Sequence, residues 1–376
     1  MLPLAVRLMG EARSRVASYQ KDRVIMLMEE VALLKLAREG DGDAFGQLVG
    51  AYRGELRAHC FRMLGSVHDA EDALQEALLR AWRGLPGFEG RGSLRSWLYS
   101  IVTNAALDLA GHRSRRELPV DFAAAAGRGA GLDPPLTDAR WLEPYPDRWL
   151  ADDVGASPEA CFEQRESVEL AFIVALQHLP PQQRAVLLLR EVAGLPTAEI
   201  SRLLGTSAAS VNSALQRARA AVRNRLPDRS QQQVLRALGD RQTRAIVERY
   251  IEATERGDAD MLISLLTEDA TWSMPPVPTW FRGHQAIREF LLRYPLTQRW
   301  KHQPTRASGQ LAVGCYLFDP GKTRFTPAVI DVLTVEGDKI GAVTAFLTAD
   351  TLPPHSGAWI TGAELAARFG LPSSLQ

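Results

Sequence analysis

The chain has 376 residues, and its 44 lysines and arginines balance 44 aspartates and glutamates for a formal net charge of zero. That length exceeds what one hydrophobic core organises, so two or three domains are expected. The balanced charge excludes a global positive field able to hold nucleic acid unaided; any such binding must come from local patches or be shared with a partner.

Cys60, Cys161 and Cys315 lie far apart, form no Cys-x-x-Cys pair, and have no histidine spaced to complete a zinc site. Reduced thiols, no structural metal and no cofactor are expected. In the opening MLPLAVRLMGEARSR the basic residues follow the apolar start instead of preceding it, and no stretch approaches the roughly 20 apolar residues that span a bilayer. The expected location is the cytoplasm, without a membrane partner. Residues 1–35 read as an N-terminal extension, within which Met26 and Met28 precede the first convincing helix and are candidate translation starts.

Residues 36–116 carry apolar positions at helical spacing with glycine punctuation at Gly40, Gly42, Gly65 and Gly90, which predicts an all-α domain. Within it DAEDALQEALLRAW, from Asp69 to Trp82, places Ala70, Leu74, Ala77, Leu78 and Ala81 on one face. Asp69, Asp72, Glu76 and Leu79 are expected on the other, and acids beside an exposed leucine suit a partner surface. A capped helix, with Asp69 as its cap and a solvated acidic face, explains the same residues.

After FEGRG, Ser93 is the expected N-cap of a helix whose stripe Leu94, Trp97, Leu98, Ile101, Ala105 and Leu109 faces inward. Ser96, Ser100, Thr103, Asn104 and Leu107 are expected on the opposite side, bracketed by Arg91, Arg95, Arg113, Arg115 and Arg116. Small hydroxyl and amide side chains there can bond base edges and admit a nucleic-acid backbone. A solubilised outer face is the competing explanation.

Residues 117–156 change character: AAAAGRGAGLDPP is rich in glycine and proline, and WLEPYPDRWLADD clusters aromatics and acids. They read as a linker, one suited to docking. Helical periodicity returns over residues 157–228, in LPPQQRAVLLLREVAG, LPTAEISRLLG and TSAASVNSALQRARAAVRNRL. The last two have helix-turn-helix dimensions, with Pro196 near the start of the first helix and Gly205 in the turn. The second, Ser207 to Leu226, buries Val211, Leu215, Ala218 and Val222 and turns Ala209, Ser213, Gln216 and Ala220 outward, with Ser210, Asn212, Arg217 and Arg219 on the flanks. Asn212, Gln216 and Arg217 suit base edges, whereas Arg184, Arg219 and Arg223 suit phosphates; an amphipathic packing hairpin is the alternative.

A polar stretch at 229–241 is expected to be a second linker. It leads to an α+β domain at 242–351, with helices at Gln242–Arg256 and Ala259–Leu266 and β-rich runs LAVGCYLF, PAVIDVLTV and KIGAVTAFL. Residues 352–376 read as a tail.

The three blocks DAEDALQEALLRAW, FEGRGSLRSWLYSIVTNAALD and LPPQQRAVLLLREVAGLPTAEISRLLGTSAASVNSALQRARA resemble, in order, the conserved regions of extracytoplasmic-function sigma factors. The resemblance implies two all-α domains: region 2 at 36–116, and a helix-turn-helix region 4 at 157–228. It implies that core RNA polymerase and promoter DNA are the partners, and an anti-sigma factor is a further candidate. By the same resemblance Asp69, Asp72, Gln75, Glu76 and Leu79 meet the β′ coiled coil, with the β subunit also in contact. Phe88, Arg91, Ser93, Ser100, Thr103 and Asn104 form the minus-ten strand-opening surface, where an extruded base costs a few kcal/mol, offset by stacking and hydrogen bonds. Arg184, Ser210, Asn212, Ser213, Gln216, Arg217 and Arg219 read minus-thirty-five DNA. The chain departs from the family at Pro196, where a serine is usual, and in a reading helix less basic at its start, so the preferred promoter stays unassigned.

The C-terminal domain, through YIEATERGDADMLISLLTEDATW, resembles SnoaL-like members of the cone-shaped nuclear-transport-factor-like fold, and WLEPYPD resembles the linker of sigma factors that carry such an extension. That fold encloses a pocket, for which Tyr250, Trp272, Trp280, His284, Phe290 and Phe346 are candidate lining residues, and Asp331 and His284 are candidate acid/base groups. The expected function is a non-enzymatic initiation factor whose C-terminal domain regulates it in cis. A simple helix-turn-helix regulator, and a SnoaL-like enzyme with a DNA-binding N-terminal half, are the alternatives.

Overall fold

The computed structural model describes residues 29–376 apart from 91, 112–113, 137–140, 151–157 and 354–359. Arg91 and the candidate starts Met26 and Met28 lie outside the described residues.

The N-terminal domain stacks α1 (29–38), α2 (Gly42–Gly50), α3 (Arg53–Leu64), α4 (Val67–Gly84) and α5 (Leu94–Gly111). Ser66, and not Asp69, caps α4, its Oγ accepting from the Asp69 amide at 3.1 Å. Ser93 caps α5 as expected, accepting from the Ser96 amide at 3.1 Å.

The segment after a short helix, α6 (Pro119–Phe122), is docked through its aromatic motif. Trp141, Leu142, Glu143 and Tyr145 of WLEPYPD are all buried, with Tyr145 against Phe61 at 4.7 Å between ring centroids. A second helical unit follows: α7 (Pro158–Glu166), α8 (Leu170–Gln177), α9 (Pro181–Leu187) running into a π turn at Leu188–Val192, α10 (Thr197–Leu203) and α11 (Ala208–Arg223). Gly205 turns the chain between the last two at φ 60°, a left-handed conformation open to glycine.

The stretch expected to be a linker at 229–241 is instead helical from its third residue. Helix α12 (Gln231–Arg256) is bent at Gly239, where φ is 77°. Tertiary partners override its polar composition: Glu169 accepts from the Gln231 and Gln232 amides, both at 2.9 Å. The Gln231 side chain also bonds the Val335 backbone in both directions, at 3.0 and 2.7 Å.

Two further helices, α13 (Ala259–Ser264) and α14 (His284–Arg293), accompany strands β1 (Leu266–Met274), β2 (Val277–Arg282), β3 (Trp300–Ala307), β4 (Gln310–Asp319), β5 (Arg324–Glu336) and β6 (Lys339–Leu347). They form one sheet in the order β2-β1-β6-β5-β4-β3, parallel only between β1 and β6. Strand alternation sorts its side chains into two cores. Val313, Cys315, Val329, Leu333, Val343 and Ala345 pack beneath α12, α13 and α14. Ala312, Ile330, Val332 and Phe346 face the other way and join the core of the helical half. Burial on both faces explains why PAVIDVLTV reads as a continuous apolar run.

The expected tail also folds. Thr361 and Glu364 form a capping box on α15 (Gly362–Phe369), whose Leu365 and Phe369 enter the helical core. Beyond it, Leu375 bridges Phe325.

Candidate nucleic-acid interface and C-terminal pocket

On α4, Asp72, Gln75, Glu76 and Leu79 are exposed, and Asp72, Gln75 and Leu79 join Phe45, Leu78 and Trp82 in a groove whose charged residues, Glu71, Asp72, Arg53 and Arg57, are of both signs. Glu76 is tied to Arg80 at 3.0 Å, which reaches Asp108 on α5 at 3.0 Å. Leu79 is 46% exposed, a large apolar side chain open to solvent.

Asp69 is not part of this face, which corrects its reading as an outward acid. It is buried and paired with Arg116. Arg116 also donates to the Trp141 carbonyl at 2.7 Å and meets Glu143 at 3.4 Å. Glu143 in turn accepts from Ser66 Oγ at 2.7 Å and from the Val67 amide at 2.8 Å. Asp69 therefore helps lock the linker onto the start of α4. The signal was in the spacing: Asp69 lies one turn before Ala73 and two before Ala77, both buried.

On α5, Ser93 and Asn104 are exposed and Ser100 is half-buried. Phe88 is buried against Trp97, with ring centroids 5.1 Å apart, so it braces the loop from within. Thr103, expected on the open face, is fully buried and bonded to His59 at 3.0 Å. Burial, reinforced by the Arg62 and Arg95 charges, pushes His59 down to about 3, so Thr103 meets a neutral ring. The polar face of α5 is narrower than its composition suggests because neighbours cover the helix on two sides. Arg95 shows the second neighbour: it pairs with Glu55 at 2.6 Å and donates to the Ala193 carbonyl in the other helical unit at 2.9 Å.

Helix α11 matches its predicted faces. Val211, Leu215, Ala218 and Val222 are buried, while Ser210, Asn212, Ser213, Gln216, Arg217 and Arg219 are exposed. Ser207 caps it, accepting from the Ser210 amide at 3.1 Å, and Arg219 pairs with Glu191. Arg184 departs from the phosphate-contact reading. Its buried guanidinium donates to the Met63 carbonyl of the first domain, to Gln177 Oε1 at 2.9 Å, and to the Gln177 and Leu179 carbonyls at 3.2 and 3.1 Å. The second half of α9, from Arg184 to Leu187, is buried all round, so an arginine there bonds backbone instead of facing water.

In the C-terminal domain Tyr250, Trp272 and Phe290 line a cavity of about 450 Å3. Three other candidates do not. The Trp280 indole donates to the Ala123 carbonyl at 2.8 Å and holds the linker; His284 lies 3.3 Å from the Leu266 carbonyl. Phe346 points to the opposite face of the sheet, since Ala345 and Leu347 on either side of it line the cavity. His284 and Asp331 therefore form no pair. Asp331 instead accepts from Tyr250 at 2.7 Å and Cys315 at 3.2 Å; burial pushes it up to about 6 against those two bonds. Cys315, His302 and Leu132 also line the cavity and were missed by sequence reasoning. His302 and Cys315 meet through strand register, which pairs them and sets Val313 opposite Asp331, whereas Leu132 reaches the cavity from the linker.

Among the described residues no helix is long and apolar enough to cross a membrane.

Comparison with known proteins gives three matches in chain order: Sigma-70 region 2 at residues 48–116, Sigma-70 region 4 at 169–222, and a SnoaL-like domain at 247–343. The chain is 40% identical over 343 residues to the ECF RNA polymerase sigma factor SigG of Mycobacterium tuberculosis, covering 90% of this chain and 86% of that protein. It is 32% identical over 197 residues to the ECF RNA polymerase sigma factor SigW of Bacillus subtilis, covering 52% of this chain and 95% of that one. The fold is similar to the crystal structure of the Mycobacterium tuberculosis extracytoplasmic function sigma factor SigJ, with a TM-score of 0.50 and 24% identity over 81% of this chain and 97% of that one.

Proposed function

Because the chain belongs to the extracytoplasmic-function RNA polymerase sigma factors, it is a transcription factor that binds core polymerase and promoter DNA and not an enzyme; we propose that its C-terminal domain controls this activity in cis, in the cytoplasm. The observation that carries the proposal is the shared core: Ala312, Ile330, Val332 and Phe346 of the sheet pack with buried residues of the sigma half.

The polymerase contact is assigned to Asp72, Gln75, Glu76 and Leu79 against the β′ coiled coil, and the minus-ten surface to Ser93, Ser100 and Asn104. The minus-thirty-five surface is assigned to Ser210, Asn212, Ser213, Gln216, Arg217 and Arg219. Exposure of these side chains, all open to solvent except the half-buried Ser100, supports the assignment. The two DNA-reading units touch through Arg95 with Ala193 and Arg184 with Met63. About 25 base pairs separate the promoter elements, which at 3.4 Å per step is about 85 Å of duplex. Reading both elements therefore requires the units to part, and the linker and C-terminal domain that clamp them are positioned to set that equilibrium.

The test is run-off transcription with purified core polymerase on a genomic promoter library, comparing the full chain, a chain ending near Leu226, and Arg368→Glu. The last change breaks a 3.4 Å pair between α15 and Glu71 on α4 while leaving the sheet intact. Chain-dependent transcripts whose yield or selectivity changes in both variants support control in cis. Unchanged core affinity and unchanged transcription in both would overturn it.

A further inference from the structure

Where regions 2 and 4 meet there is a cavity of about 180 Å3 that shares no residue with the assigned polymerase and promoter surfaces or with the pocket of the C-terminal domain. Its polar lining is Asp69, Ser114, Arg115 and Arg116 from the first helical unit and Gln177 and Arg184 from the second, three guanidinium groups against one carboxylate. Asp69 is committed to Arg116, which also meets Glu143, and Arg115 pairs with Glu117. Arg184 differs from both. It pairs with no carboxylate among the described residues, and its guanidinium is met only by three carbonyls and the Gln177 side-chain oxygen. Burial, with no neighbouring charge to offset it, lowers its pKa to about 10. Buried charges in proteins are normally paired.

Two donors stand beside that charge without acceptors. Gln177 Oε1 accepts from Arg184 Nη1 at 2.9 Å, which fixes the orientation of the amide and leaves Nε2 as a donor. Neither Gln177 Nε2 nor Arg184 Nε has a hydrogen-bond partner among the described residues, and the two residues are only 4% and 5% exposed. Buried polar atoms are normally satisfied. His178, next to Gln177, meets Arg115 at 2.8 Å, and burial together with the Arg115 and Arg225 charges lowers its pKa, so the field at this seam is positive. Uncompensated positive charge and free N–H donors around one small space suit an oxyanion, and the planar guanidinium matches phosphate. A cation would be repelled, and an apolar group would leave the donors unpaired. The volume lies well below the roughly 300–1,000 Å3 of drug-sized sites, which limits the enclosed part of a ligand to one small group.

We propose that this cavity takes a phosphate group, held by Gln177 Nε2, Arg184 Nε, the Arg115 guanidinium and the Ser114 hydroxyl, and that the bound phosphate fastens region 2 to region 4. The group belongs either to free inorganic phosphate or to a small phosphate monoester whose remainder lies in solvent beyond the exposed Ser114 and Arg115. Because both helical units contribute donors, parting them dismantles the site, so phosphate binding and promoter engagement oppose each other. That opposition rests on the reading in which the two units must part on the promoter; the site itself does not.

The experiment uses the full chain with inorganic phosphate and glycerol 3-phosphate as probes and sodium chloride at matched ionic strength as the control. Binding is followed by calorimetry and by the melting temperature. The expected result is saturable uptake of one phosphate per chain, with a melting temperature that rises with phosphate and not with chloride. Tighter binding of glycerol 3-phosphate assigns a monoester as the source, and tighter binding of inorganic phosphate assigns the free ion. Gln177→Glu sets a carboxylate against Arg184 and is expected to weaken phosphate at least tenfold without lowering the melting temperature of the unliganded chain. Arg115→Gln, a change at an exposed side chain, is expected to weaken it severalfold. Absence of saturable binding to the folded full chain, a stabilisation matched by chloride, or affinities unchanged in both variants overturns the site. The opposition is read by run-off transcription, in which phosphate is expected to lower the yield from the wild-type chain at least threefold more than from Gln177→Glu. Any action of phosphate on core polymerase or magnesium is common to both chains and cancels. Equal inhibition of the two chains overturns the opposition, while calorimetry reports on the site separately.

Discussion

Arg184 separates two accounts of the same residue. As a phosphate contact it would be dispensable for folding; as the structure places it, it joins the two helical units from inside. Its guanidinium makes four bonds, three of them to backbone carbonyls that stay in place when the side chain is removed. A hydrogen bond to a charged group contributes about 1.5–3 kcal/mol, so the four contribute roughly 6–12. Against this, burial lowers the Arg184 pKa from 12.5 to about 10, a cost of about 3 kcal/mol at 1.36 kcal/mol per unit. The net lies at or above the roughly 3–5 kcal/mol typical of breaking a buried charged network. Arg184→Met, which keeps the bulk, is therefore expected to lower the melting temperature by roughly 10 °C. Thermal denaturation and salt-dependent binding to minus-thirty-five duplex are the two assays. An unchanged melting curve, together with a salt slope reduced by about one, would refute the structural role and restore the phosphate contact.

Leu79→Asp is expected to weaken core polymerase affinity at least tenfold without changing the melting curve, because the side chain is exposed; unchanged affinity in a pull-down titration would remove α4 from the contact. Neighbouring residues on α5 should behave oppositely: Thr103→Val should cost about 1 kcal/mol through the lost His59 bond with promoter opening preserved, whereas Asn104→Ala should leave stability intact and reduce permanganate-detected opening about tenfold. Burial raises Glu169 from 4.5 to about 7, against the amide bonds it accepts from Gln231 and Gln232. Between those values the folded chain binds the additional proton, so this group's contribution declines as pH rises from about 4.5 to 7 and is constant above. His59, lowered to about 3, contributes the opposite trend below 6.5. The difference in urea midpoint between wild type and Glu169→Gln, which cancels His59, should change between pH 5 and pH 8; a constant difference would show that Glu169 is not perturbed.

Local order along the chain determined much of this protein. The stripe Val211, Leu215, Ala218 and Val222 places α11 and its polar face without ambiguity, because a helix facing one core needs only its own 3.6-residue period. The Ser93 cap and the turn at Gly205 are equally local. Long-range packing decided the rest. Asp69, Thr103 and Arg184 are polar residues on helices buried on more than one side, so their partners, Arg116, His59 and the Met63 carbonyl, come from other elements and leave no periodic trace. The polar stretch beginning at Gln231 became helix through Glu169 and Val335, more than 60 residues away in each case. Composition showed aromatics in the C-terminal domain, but strand register chose among those on the sheet, admitting Trp272 to the cavity and turning Phe346 to the sigma side, while Tyr250 enters the cavity from α12. A one-residue difference along a strand reverses the face, so apolar runs that are buried on both faces cannot announce which residues line a pocket. That decision belongs to the sheet and to the linker laid across it.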